Sequence, residues 1–315
     1  MKYTDLINQV KSREFRDYFV AEMLPVLIPL ELKRKKIIRN GIISITFALI
    51  VTTIIVLFVL FNKSFRLERD FAMLILACII SVTNIFAILN PQARFKTMST
   101  QNIIPMLFGF FDNLSYAHGK QTDVTYMDLK KLKIYPECNC VMVDDCIEGT
   151  YNGLNLKINE LFVSKESGKT SRILFKGLML QIDLHKNFSS HTLIKRDCGI
   201  FNIFNFVIGM QRTKFEDVQF EKVFEVYTTN QGEARYLITA AFMARLLQLS
   251  KKFKLEVVFY QQKIYFFLDS KGKDKFNLSL NKEITDIKYY QNIIIELANM
   301  LSLIDELKLE QNLEM

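Results

Sequence analysis

The stretch Gly41 to Phe61 constrains this chain more than any other. It contains no charged residue and is built mainly of Ile, Leu, Val and Phe. Its length matches the roughly 20 apolar residues with which a helix spans the hydrocarbon core of a bilayer. A second uncharged run, Phe71 to Leu89, follows the short polar connector Asn62 to Asp70. Two such runs around a charged turn are hard to house in the core of a soluble protein, so the pattern predicts a transmembrane helical hairpin. The predicted organisation is an amphipathic segment over residues 1–36, the hairpin over 37–90 with spans at about 41–61 and 71–89, and an α+β domain over 91–315.

Charge sets the expected orientation. Lys33, Arg34, Lys35, Lys36 and Arg39 crowd the start of the first span, while the connector carries Lys63, Arg66 and Arg69 beside Glu68 and Asp70. Basic flanks favour the cytoplasmic side, and the first helix usually dominates. Both termini and the long C-terminal part are therefore expected in the cytoplasm. The first run is too long, and starts too late, for a cleavable signal peptide. Ahead of it Phe15, Phe19, Met23, Val26 and Leu30 form one apolar helix face, which Pro25 and Pro29 are expected to kink. The net charge of +8 favours anionic lipid surfaces or acidic partners. Beyond residue 90 the Lys and Arg are scattered without interleaved aromatics, which argues against nucleic acid. The cysteines (Cys78, Cys138, Cys140, Cys146 and Cys198) are expected to be reduced thiols in that compartment.

Past the second run, Asn90-Pro91 reads as a helix stop. Ile103 to Phe111 reads as a buried helix or one lying along the membrane surface, His118-Gly119-Lys120 as a loop, and Asp128 to Tyr135 as a short amphipathic helix. The period then changes to two. Strands are predicted at Leu154 to Ile158, Arg172 to Leu184 with a bulge at Gly177, His191 to Lys195 and Phe220 to Thr228. A helix from Glu233 to Phe253 follows, then a hairpin (Leu255 to Tyr260 and Ile264 to Asp269), an edge strand at Phe276 to Leu280, and a final helix from Asp286 to Leu309. Grouped strands and helices of this kind predict an α+β fold with a mainly antiparallel sheet.

Three blocks, in order, carry a resemblance: Asp144 to Tyr151 (Asp-Asp-Cys-Ile-Glu-Gly-Thr-Tyr), Phe175 to Leu178 (Phe-Lys-Gly-Leu), and Val226-Tyr227 followed by Glu233 to Thr239 and Phe242-Met243. From about Leu132 to the C-terminus the chain resembles the bacterial family known as domain of unknown function 3137, departing from it at Ala240 and Ala241. The resemblance implies a membrane-anchored bacterial protein, hence the inner membrane, and implies no activity.

Candidate chemistry is sparse. Asp144, Asp145 and Glu148 put carboxylates close together, which suits a divalent cation or acid–base work; a polar turn leading into a strand is the simpler explanation and the one preferred. Arg235 stands at the start of the predicted helix, where the dipole disfavours a cation. An ion pair with Glu233 or anion binding would account for it. Cys138-x-Cys140 with Cys146 lacks the spacing of a zinc knuckle, and His185 and His191 flank a strand turn with no nucleophile elbow beside them. Ile200 to Ile208 is an apolar segment too short to span, fit for a membrane-dipping loop or a buried strand. Phosphate-loop, dinucleotide, serine-hydrolase and kinase motifs are absent. The reading that results needs no cofactor or metal: a membrane-anchored, non-enzymatic binding or scaffold module at the cytoplasmic face of the plasma membrane. Its partners would be the lipid bilayer and a protein partner or a second copy, not nucleic acid. The alternatives are an enzyme acting on a membrane-associated substrate through Asp144, Asp145, Glu148 or Arg235, and an accessory subunit of a membrane complex.

Overall fold

A computed structural model describes residues 3–61, 67–118, 124–184, 188–197, 207–251, 254–269 and 282–306. In chain order the elements are α1 (Tyr3–Lys11), α2 (Arg13–Tyr18), a π-helical turn (Phe19–Met23), α3 (Leu24–Phe61), α4 (Leu67–Phe108), β1 (Leu114–His118), α5 (Tyr126–Lys131), β2 (Cys140–Tyr151), β3 (Leu154–Ser167), β4 (Thr170–Asp183), β5 (Thr192–Arg196), β6 (Gln211–Thr213), α6 (Val218–Glu221), β7 (Phe224–Thr228), α7 (Gln231–Leu237), α8 (Ala240–Ser250), β8 (Lys254–Tyr260), β9 (Lys263–Asp269) and α9 (Ile287–Glu306). The predicted strand at Phe276 to Leu280, together with Cys198, His185, Gly119-Lys120, residues 62–66 and residues 200–206 of the apolar segment, lies outside the described residues. The chain divides into two compact units: residues 1–16, 104–276 and 290–315, and residues 17–103 and 277–289.

The first unit is an α+β domain on one antiparallel sheet with strand order β1-β2-β3-β4-β9-β8-β5-β7-β6. Alternation along each strand gives the sheet two buried faces. On one face Leu161, Val163, Phe175, Met179, Phe267, Val258, Leu193 and Tyr227 pack with Leu129, Leu132, Ile134 and Cys138, which come from α5 and the turn after it. On the other, Leu180, Ile182, Phe266 and Leu268 are buried, α8 packs on β8 through Phe242 and Phe259 at 5.7 Å, and the end of α4 stacks on β1 through Phe108 and Tyr116 at 5.6 Å. The Gln291 amide donates to the Val10 carbonyl at 3.0 Å, joining α9 to α1.

Two glycines are required by strand contact. A Cβ on Gly149 would lie 2.0 Å from the Asn113 carbonyl oxygen, and one on Gly177 would lie 2.1 Å from the Leu268 oxygen. Gly177 is therefore a site of close backbone approach. The irregularity in β4 sits instead at Leu174, where the register passes from Val163↔Phe175 to Ser164↔Ile173.

Other boundaries move for local reasons. The helix predicted from Glu233 breaks at Ile238 (ψ 71°), because Thr239 starts a new one by accepting the Phe242 amide. Asp217 likewise caps a short helix that takes Phe220 out of the predicted strand, leaving β7 to begin at Phe224. The helix predicted at Asp128 begins earlier, with Thr125 and Asp128 forming a reciprocal capping box.

The second unit contains the long helices. Asn90-Pro91 does not stop α4, which runs through both Pro91 and Pro105. Ending a helix frees four carbonyls, whereas an interior proline forfeits one hydrogen bond and strains one turn, at about 3 kcal/mol. Pro25 is met by the preceding π-helical turn, closed by the Leu24 amide on the Phe19 carbonyl, and Pro29 is carried inside α3. Among the described residues one helix is long and apolar enough to cross a membrane, with a mean hydropathy of 2.9 in its best window and none of that window buried. Arg34 leaves the predicted basic cluster: it is buried, donates to both Glu31 oxygens (2.8 and 2.6 Å), and Glu31 also accepts the Ile284 amide at 3.2 Å.

Candidate functional site

The sheet edge formed by β1 and β2 collects the polar side chains that the sequence leaves dispersed. In β2 the register passes from Val143↔Leu161 to Cys146↔Asn159. Asp144 and Asp145 thus oppose the single residue Glu160, a β-bulge. Adjacent strand residues normally face opposite ways; a bulge re-aims one of them. The result is that both aspartates reach His118, the last residue of β1. Asp145 Oδ1 lies 2.8 Å and Asp144 Oδ1 3.6 Å from His118 Nδ1. Tyr116, two residues earlier on the same face, donates its hydroxyl to the same Oδ1 of Asp145. The expected polar turn is therefore a mid-strand bulge, hidden in the sequence because two aspartates interrupt the apolar alternation of β2.

Electrostatics set this cluster apart. The Asp145 side chain has no exposed surface, and its Oδ2 is buried without a hydrogen-bond partner. Burial raises the Asp145 pKa; the bonds from Tyr116 and His118 pull it back, and the charge of Asp144 adds to the rise. Burial, followed by the charge of Asp145, pushes the Tyr116 hydroxyl well above its ordinary value. His118 Nδ1 and one oxygen from each aspartate lie within 4.8 Å of one another, the one such grouping of His, Cys, Asp or Glu among the described residues. His118 and Tyr116 escape sequence reasoning because the β1–β2 pairing joins residues 27 to 29 positions apart. The Tyr-x-His spacing becomes a signal only once a strand is recognised there.

The other candidates go elsewhere. Glu148, three residues beyond Asp145, faces the opposite side of the sheet and pairs with Lys157 at 2.6 Å. Lys157 lines a cleft of ≈ 460 Å³ with Lys131, Lys263, Gln181, Tyr260 and Tyr265. Arg235 lies in the last turn of α7, where the dipole favours a cation, with its guanidinium 5.7 Å from the centre of the Phe215 ring. Glu233 is not its partner. The Glu233 carboxylate accepts from the Ser189 and Ser190 amides and the Ser189 hydroxyl. Arg235 follows β7, six strands from β2 in the sheet order, a separation of roughly 29 Å at about 4.8 Å per strand. Cys138 is core, its thiol 3.7 Å from the Tyr126 carbonyl, and Cys146 is buried 3.6 Å from Glu148. His191 is buried against the Leu132 carbonyl at 3.1 Å. Of the four residues Asp144, Asp145, Glu148 and Arg235, only the first two share a site.

Comparison with known proteins is spare. No curated protein matches the chain. A crystal structure, that of the mycobacterial trehalose monomycolate transport factor A, TtfA, is similar over 52% of this chain and 75% of its own, at 8% identity and a TM-score of 0.30, a likeness too faint to transfer anything. Residues 173–309 match the family described as "Protein of unknown function (DUF3137)". The Phe175 and Val226 to Met243 blocks fall inside the match, and the Asp144 to Tyr151 block lies ahead of it. Over residues 173–309 the family match and the Phe175 and Val226 to Met243 blocks thus support the resemblance to the DUF3137 family.

Proposed function

We propose that this is a membrane-anchored protein that crosses the bilayer twice, at about 41–61 and 71–89, and carries its sheet domain as a non-enzymatic binding or scaffold module at the cytoplasmic face of the plasma membrane. The observation that carries the reading is the bare apolar surface of α3. Ile42, Ile43, Phe47, Leu49, Ile50 and Ile54 are each about three-fifths exposed. Such a column is untenable in water and ordinary in lipid. Phe71, Ile75 and Ile79 on α4 are exposed in the same way, which supports the second span. Lys33, Lys35, Lys36 and Arg39 at the start of the first span support a cytoplasmic N-terminus. The two spans then return the sheet domain to the same side, where lipid and a protein partner or second copy are its proposed contacts.

The binding role is favoured over catalysis by the scattering of the candidate residues. The test is a pair of C-terminal fusions in a bacterial host. The reading expects a fluorescent protein fused there to fold and shine, an exported phosphatase to stay inactive, and the chain to remain in membranes after alkaline carbonate washing. An active phosphatase would reverse the orientation, and release by carbonate would remove the anchor.

A further inference from the structure

The geometry points to a divalent-cation site at the β1–β2 edge, in which His118 Nδ1 and one carboxylate oxygen each from Asp144 and Asp145 hold a first-row transition ion such as zinc. The inference is independent of the membrane reading. Several acids near one another do not make a site, and two further observations separate this cluster from that case. The first is Asp145, a carboxylate with no exposed surface whose Oδ2 has no hydrogen-bond partner. Its other oxygen is held only by Tyr116 and His118, members of the cluster itself. A buried anion left this way is costly unless a cation completes it. The second is the spacing. Zinc lies about 2.0–2.2 Å from nitrogen and oxygen donors, so two donors on one tetrahedral ion stand about 3.3 Å apart. The His118–Asp145 and His118–Asp144 separations, 2.8 and 3.6 Å, bracket that value.

The surroundings agree. The register sets the buried Glu160 opposite the bulge, a third acidic residue beside the two that reach the imidazole. Tyr116 bonds a ligating carboxylate, the kind of outer contact that orients metal ligands. The imidazole and carboxylate donors suit zinc and its neighbours more than calcium, which takes six to eight oxygens. Three protein donors leave a fourth position for water or a ligand group. Ligation at Nδ1 needs the neutral imidazole with its proton on Nε2, a tautomer change that exchange with solvent supplies, so no other reactant is needed.

The test uses the full-length chain in detergent, stripped with a chelator and titrated with zinc in competition with a chromophoric chelator. The wild type is expected to take up one saturable equivalent and to unfold at a higher temperature with zinc than without. Asp144→Ala, at a half-exposed position and checked for folding by its metal-free unfolding temperature, is expected to weaken binding at least tenfold, and His118→Gln to do the same. Cobalt supplies a second readout: the visible bands of a four-coordinate ion should appear in the wild type and vanish in Asp144→Ala. Absence of saturable binding, or equal affinity in wild type and Asp144→Ala, overturns the site. The latter result would place any bound zinc elsewhere on the chain.

Discussion

Toward its two ends the sheet buries the same pair of groups, a carboxylate and a tyrosine, with opposite outcomes. On β7, Glu225 is fully provided for. Arg212 reaches one oxygen at 2.9 Å, the Tyr227 hydroxyl donates to the other at 2.9 Å, and the register sets Lys195 across from it. On β2, Asp145 has two donors on one oxygen and none on the other. Its nearest basic group is a histidine, whose charge is conditional. The first arrangement is closed by an arginine that never loses its proton and needs nothing more. The second is incomplete as the chain alone provides it. Buried groups of the same chemistry are thus structural where a fixed cation is supplied and available for a ligand where it is not.

The largest expected effect breaks the closed end. Arg212→Met leaves Glu225 buried with one donor, which should cost about 3 kcal/mol in urea unfolding of the full chain in detergent, the upper part of the range being removed by the half-exposed position of Arg212. A loss under 1 kcal/mol would show that Lys195 alone suffices and that the contrast is weaker than drawn.

The next effect rests on a buried histidine. Burial pushes His191 down to about 4, with the Leu132 carbonyl opposing and Lys133 reinforcing. A depressed folded value means that the unfolded chain binds the extra proton first. His191 therefore contributes stability above its ordinary value near 6.5, lost as the pH falls through about 4, amounting to about 2 kcal/mol once the full shift of about 3 kcal/mol is reduced for solvent screening. His191→Gln should flatten the stability profile in that window, as followed by urea unfolding across the pH range.

Smaller effects separate the tyrosines. Tyr116→Phe removes a charge-assisted bond from a carboxylate without a fixed cation and should cost about 1.5 kcal/mol, against about 1 kcal/mol for Tyr227→Phe, since Arg212 still holds Glu225. Equal losses would remove the distinction. The smallest effect has the opposite sign: Asp145→Asn takes away an incompletely bonded buried charge and should leave the metal-free protein as stable or up to about 1 kcal/mol more stable. It should also remove any gain from zinc. Strong destabilisation of the metal-free protein would mean that the cluster is structural.

The chain shows by itself the properties that reside in contiguous residues. The uncharged run at Gly41 to Phe61, the period-two strands from Leu154 onward, the hairpin between Leu255 and Asp269 and the family blocks are all local patterns, and the antiparallel α+β class follows from their order. Helix ends were less legible at Ile238 and Pro91, where a single threonine cap or the cost of freeing four carbonyls outweighs the pattern. The site required the tertiary structure. A bulge in β2 turns two adjacent aspartates toward one side, and pairing with β1 brings Tyr116 and His118 to them from 27 to 29 residues away. Strand alternation sends Glu148 to the opposite face, and sheet order carries Arg235 six strands off. Closeness in sequence suggested one acidic group of three; closeness in space, decided by register and pleat, made a different one.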